Sequence, residues 1–139
     1  MAKKRKTKVA HTPRTMKALR ERGLVPAMVE KWNPHVRRPD GGMGVRQDLF
    51  SIIDIIALDQ LNGQIIGVQS TGQDFSGHRR KLLIDYRENT ALWLQCGGAL
   101  ELYAWRKVKA RGADGKRTKR EIWEPRIHVF SLDEVGLFM

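Results

Sequence analysis

Apolar and polar positions along this chain follow two periods, one helical and one alternating. Met16, Leu19 and Arg20 keep helical spacing behind Thr12-Pro13, which reads as an N-cap with a first-turn proline, and Gly23 stops that helix. Residues 24–32 are apolar and strand-like, and Pro26 confines them to an edge or an early position. Residues 33–45 are rich in Pro and Gly and read as a loop. Residues 49–58 and 65–70 are nearly continuous apolar runs around Asn62-Gly63, a strong hairpin signal. A helix is expected from Ser76 or Gly77 to Gly97-Gly98, with Arg79 and Arg80 on a basic side, Leu82, Leu83 and Tyr86 on an apolar one, and a break or new cap near Asn89-Thr90. Residues 100–108 and 122–130 read as strands joined by a turn at Asp114-Gly115, the second near an edge because of Pro125. Residues 131–139 form a short segment expected to dock on the core.

The expected order is therefore helix, strand, strand, strand, helix, strand, strand. That order predicts an α/β fold in which a mixed central sheet is flanked by helices in two or three layers. Near-continuous apolar strands suggest a sheet covered on both faces. Residues 1–12 read as a basic tail (Lys3, Lys4, Arg5, Lys6 and Lys8), and residues 13–139 as one domain.

Composition narrows the class. A formal charge of +11 on 139 residues favours a polyanionic partner, nucleic acid before acidic membrane. The single cysteine, Cys96, excludes an intrachain disulfide framework, fits a reducing compartment and reads as a core thiol at a helix end. His11, His35, His78 and His128 show no zinc-ligand spacing. No apolar run has membrane-span length and no signal-peptide core appears, so a cytoplasmic protein is expected.

Candidate chemistry centres on Asp54, an acidic residue inside the first apolar run of the hairpin. A carboxylate there is costly unless it is paired, hydrogen-bonded or bound to a metal. Gln69 and Thr71 lie two apart on the second run, so they share a face, and on a hairpin that face can also carry Asp54.

With Asp54-Ile55-Ile56-Ala57 on one strand and Gln69-Ser70-Thr71 on the next, the chain resembles the PD-(D/E)XK nuclease superfamily, near its Holliday-junction resolvase-like and Mrr-like branches. The resemblance runs in element order from Pro13 to Phe130. It implies a restriction-endonuclease-like fold, Mg²⁺ or Mn²⁺ as cofactor, hydrolysis of DNA phosphodiesters, branched DNA as a substrate class, and a homodimer. It implies Asp54, the Gln69 carbonyl oxygen and the backbone carbonyl of Ser70 as metal ligands. The family's lysine position is Thr71 here, a neutral residue. Lys81 on the following helix is a candidate migrated lysine, with Arg79 as its rival, since the two project differently. Glu30 corresponds to an accessory acid carried upstream in some members, and Asp48, at the same strand parity as Asp54, to an extra carboxylate at the rim.

Basic residues are expected to hold the nucleic acid, DNA before RNA. Arg37, Arg38 and Arg46 precede the acidic strand. Arg106, Lys107, Lys109, Arg111, Lys116, Arg117, Lys119 and Arg120 form an arm with Asp114 as its one acid. Trp32, Trp93, Trp105 and Trp123 read as packing residues, with Trp105 and Trp123 facing one another across the second hairpin. Two rivals to the nuclease stand beside it. One is a nuclease-fold binding module without catalysis, suggested by Gln69 and Thr71. The other is a basic RNA-binding or assembly protein, dominated by the tail and the arm.

Overall fold

A computed structural model describes residues 11–136. The expected basic tail falls almost wholly outside the described residues. Helix α1 (His11–Glu21) ends as the sequence predicts: the Leu24 N–H reaches back to the Leu19 carbonyl and closes the helix before Gly23. Strand β1 (Val25–Met28) follows. It is shorter than expected, because the chain turns out of the sheet at Val29 and Glu30, whose N–H groups both donate to the Asp54 carbonyl oxygen.

Residues 33–45, expected as a loop, instead build a two-stranded ribbon of β2 (Lys31–Arg37) and β3 (Met43–Gln47). Pro34 falls where the register slips between Asn33 and Arg37, so it needs no regular ladder bond. Among the described residues the ribbon pairs with no other strand.

Strand β4 covers only Ile55–Asp59, not 49–58, and pairs antiparallel with β5 (Gln64–Thr71) through a loop ending at Gly63, whose φ of +64° suits glycine. Helix α2 (Phe75–Arg80), capped by the Asp74 carboxylate on the Gly77 N–H, widens into a π turn (Lys81–Asp85) before α3 (Arg87–Gln95). The break thus comes earlier than Asn89-Thr90. Strands β6 (Ala99–Arg111) and β7 (Arg117–Val129) and a short α4 (Leu132–Val135) complete the described chain.

The main sheet has five strands in the order β1-β4-β5-β6-β7, with β5 and β6 parallel and the other pairs antiparallel. Within this sheet the two proline-bearing strands, β1 and β7, are edges, where a missing N–H costs no ladder bond. Leu19, Ile55, Val68, Tyr103 and Trp105 pack with α1 on one face. Ile52, Ile53, Leu82, Leu100, Leu102 and Phe130 pack under the π turn and α3 on the other. The result is a mixed sheet covered by helices on both faces.

Two side-chain placements depart from expectation. Cys96 is exposed rather than a core thiol, because α3 ends one residue before it. Trp105 stands opposite Pro125, and Trp123 opposite Lys107, so the two indoles are diagonal neighbours. The Arg14 guanidinium lies over both, 5.7 Å from the Trp105 centroid and 4.2 Å from that of Trp123. Trp32 is largely exposed on the ribbon, not in a core. No helix among the described residues is long and apolar enough to cross a membrane.

Candidate functional site

Asp48 and Asp54 meet through a tight loop, not through shared strand parity as the sequence suggests. Leu49 and Ile53 exchange backbone hydrogen bonds of 2.8 and 3.0 Å, which closes the loop and makes 48 and 54 the next facing positions. Phe50 and Ser51 at its tip have φ of 52° and 63°, a left-handed conformation uncommon for residues other than glycine. The loop is nonetheless well held. Ile52 and Ile53 are fully buried, the Asn89 amide donates to the Phe50 carbonyl, and Ile53 fills the space that a side chain at Gly67 would occupy.

Glu30 joins the two aspartates because its N–H is tied to the Asp54 carbonyl. Glu30, Asp48 and Asp54 each present an oxygen, all within 4.8 Å of one another. Hard carboxylate oxygens in such a group suit Mg²⁺ or Mn²⁺. The Arg46 guanidinium, at the foot of the ribbon, lies 3.4 Å from Glu30.

Gln69 is 3% exposed and turned opposite to the orientation expected of a metal-ligating carbonyl. Its amide nitrogen donates to Asp54 Oδ2 at 2.5 Å and to Asp48 Oδ2 at 3.3 Å, while its carbonyl oxygen accepts from Lys81 at 3.2 Å. With carboxylates on one side and an ammonium on the other, only this orientation matches donors to acceptors. Ser70 likewise contributes an N–H, donated to Asp54 Oδ2 at 2.8 Å. Its hydroxyl is hydrogen-bonded to Thr15 on α1, on the far face. Thr71 shares the Gln69 face, but its hydroxyl makes no hydrogen bond to the cluster among the described residues.

Of the two candidate cations on the helix, Lys81 enters the site and Arg79 does not. Lys81 Nζ donates to Asp48 at 3.1 Å, whereas Arg79 is turned toward Glu134, 3.8 Å away. The π turn begins at Lys81, and such widened turns change which way successive side chains point.

Electrostatics divide the aspartates. Burial, reinforced by the hydrogen bond and charge of Asp48, pushes the Asp54 carboxyl up to about 8, against the opposing pull of the Ser70 N–H and the Gln69 amide. Burial works the same way on Asp48, but there the hydrogen bond with Asp54 and the Lys81 ammonium win and hold it below the usual carboxylate value. Near neutrality the pair therefore keeps one proton between its two carboxyls.

The basic candidates fall into two groups. Arg37, Arg38 and Arg46 belong to the ribbon, whose two ends are Glu30 and Asp48. Arg38 pairs with Asp40 in the turn. The other group is the β6–β7 arm. Since β6 runs parallel to β5 and Thr71 faces Ala104, the seven residues to Arg111 extend past the site by roughly 23 Å. On the arm Arg106 pairs with Glu124, and Lys107 and Lys109 both pair with Glu121. Arg111, Lys116, Arg117, Lys119 and Arg120 have no carboxylate at ion-pair distance among the described residues. No family model matches the chain, and no curated protein or solved structure matches it either.

Proposed function

We propose that the protein is a metal-dependent phosphodiesterase acting on nucleic acid, DNA before RNA, of the PD-(D/E)XK nuclease type with a restriction-endonuclease-like fold. The observation that carries this reading is the Lys81 ammonium lodged beside a cluster of three carboxylates, 3.1 Å from one of them and 3.2 Å from Gln69. Lys81 supplies the cation that Thr71 cannot. Glu30, Asp48 and Asp54 are the residues that would hold Mg²⁺ or Mn²⁺.

The bound metal would supply Lewis-acid stabilisation of the scissile phosphate and a more acidic water. Asp54 would have to release its proton to serve as a ligand, and a cation held there would offset the burial and the Asp48 charge that raise its pKa. Lys81, anchored by the Gln69 carbonyl, is placed to orient the attacking water or to offset charge developing on the phosphate oxygens. Water adds to phosphorus, the P–O bond to the leaving strand breaks, and the leaving oxygen takes up a proton. The ribbon and the arm hold the flanking backbone through its phosphates.

A second reading, a binding module without catalysis, is favoured by one observation. Gln69 and Lys81 already satisfy both aspartates, so the cluster is hydrogen-bonded without any metal. Incubating the full chain with branched, duplex and single-stranded DNA in Mg²⁺ or Mn²⁺ separates the two readings. Metal-dependent cutting that disappears in Asp54→Ala is expected. Unimpaired cutting by that variant removes the site, and tight binding with no cutting in either metal leaves the module.

A further inference from the structure

Beside the acid cluster, on the same side of the sheet, lies an open cleft of about 570 Å³ between α2, the π turn and β7. Three arginines line it, Arg79, Arg80 and Arg126, together with Phe75 and His128. The nearby carboxylate is Glu134, which is shared between Arg79 at 3.8 Å and His128 at 2.8 Å. Arg80 and Arg126 have no ion-pair partner among the described residues. Arg126 is held in place all the same, since its guanidinium stacks on the Phe75 ring at 3.8 Å from the centroid. Three like charges around one concavity repel one another, and a bound polyanion turns that repulsion into attraction. Planar guanidiniums present paired N–H donors that match phosphate oxygens.

Position identifies the kind of phosphate. Arg126 faces Ala104, and the next residues on that face of the β6–β7 pair are Arg106 and Glu124, at the root of the basic arm. Arg126 and Arg106 also border one small hollow with Gly72, Gln73 and Phe75. The cleft therefore continues into the arm. Toward the other side, Gln69 on β5 and Arg126 on β7 are two strands apart, roughly 10 Å across the sheet. A nucleic-acid strand covers that span in a few nucleotides, at about 3.4 Å of axial rise each.

We propose that Arg79, Arg80 and Arg126 form a phosphate subsite that grips the nucleic-acid strand a few nucleotides from the acid cluster. Arg79 accordingly belongs to strand binding and not to catalysis. The inference rests on the polynucleotide partner named above, but not on cleavage.

The test is fluorescence anisotropy of the full chain, without metal, on a labelled duplex and a labelled single strand across a salt series. Arg80→Ala/Arg126→Ala is expected to weaken binding about tenfold at moderate salt and to lower the salt slope by up to about 2, at roughly 0.9 for each phosphate no longer neutralised. Arg80→Lys/Arg126→Lys should recover most of the slope, which separates removal of charge from damage to the fold. Lys17→Ala/Arg20→Ala removes equal charge from α1, across the sheet, and should leave the slope unchanged. An unaltered slope in the Arg80/Arg126 variant, or an equal loss in the α1 variant, overturns the subsite while the nucleic-acid reading stands. No binding by the wild-type chain overturns both. Titration with inorganic phosphate and a mononucleotide decides the remaining source: saturable, Arg80/Arg126-dependent binding of these with strand binding unaffected would make the cleft a small-phosphate site and overturn the proposal.

Discussion

Lys81 and Asp48 are joined across 33 positions of sequence by a 3.1 Å ion pair, and that pair ties the helical layer to the loop carrying the acid cluster. Both side chains are mostly shielded, 27% and 15% exposed, so the pair is neither a free surface contact nor a sealed core bridge. In the proposed nuclease it would place one ammonium beside the incoming phosphate.

Replacing Lys81 should accordingly separate chemistry from binding. Lys81→Met is expected to lower the single-turnover cleavage rate by about 10²–10⁴, the usual range for a positioned acid–base or charge-stabilising group. Its DNA affinity should stay within about threefold, because only one of many phosphate-facing cations is removed. Lys81→Arg should recover part of the rate. A Lys81→Met enzyme that cuts at the wild-type rate would return the role to Thr71 or remove it altogether.

The proton retained by the Asp48–Asp54 pair bears on both stability and metal affinity. The Asp54 pKa is raised from 3.8 to about 8 on folding. The native state then holds more protons than the unfolded one between those values, so metal-free stability falls as pH rises from about 4 to 8. Asp54→Asn removes that fall and should melt several degrees above wild type at pH 8, at about 2–4 °C per kcal/mol for a chain of this size. Mn²⁺ must displace the proton, so wild-type Mn²⁺ affinity should rise about tenfold per pH unit below pH 8, as read by calorimetry in two buffers of different ionisation enthalpy. A pH-independent Mn²⁺ affinity would show that Asp54 is not a ligand.

Much of the scaffold is legible in the residues, and much of the site is not, for physical reasons. Pro26 and Pro125 mark edge strands because a missing N–H is tolerated there. Asn62-Gly63 marks the central hairpin because Gly63 takes a positive φ. The β2–β3 ribbon escapes such reading, since it pairs with no other strand among the described residues and shows little apolar alternation. The Asp48–Asp54 contact escapes it too: the apolar run Ile52-Ile53 looks like strand, while the turn depends on left-handed Phe50 and Ser51. Spacing alone leaves Lys81 and Arg79 as equals, and the local path of the π turn distinguishes them. The Gln69 orientation follows from its neighbours, which only the folded chain brings together.

On the other face of the sheet, Thr15 anchors the site strand from behind. Its hydroxyl lies 2.6 Å from Ser70 Oγ and accepts the Trp105 indole N–H at 2.7 Å. Thr15→Val keeps the volume but leaves a buried indole donor unpaired. A loss of about 1–3 kcal/mol is expected in denaturant unfolding. Thr15→Ser, which retains the hydroxyl, should cost less than the valine variant. Equal stabilities for all three proteins would show that the hydroxyl contributes nothing to holding β5.

The β6–β7 arm separates the nuclease reading from an RNA-binding or assembly protein. Arg111, Lys116, Arg117 and Lys119 are exposed and lack carboxylate partners among the described residues, so changing all four to Gln should leave the melting temperature within about 2 °C, as for ordinary surface substitutions. Strand affinity should drop, with a salt slope smaller by up to about 3.6 at roughly 0.9 per phosphate. Cleavage by the arm variant should then fall through KM, with kcat close to wild type at saturating DNA, because the acid cluster and Lys81 are untouched. Asp54→Ala should do the reverse, abolishing kcat while binding persists. If the arm variant instead loses RNA binding or assembly while Asp54→Ala retains every measurable activity, the acid cluster is a structural feature and the arm is the functional part of the molecule.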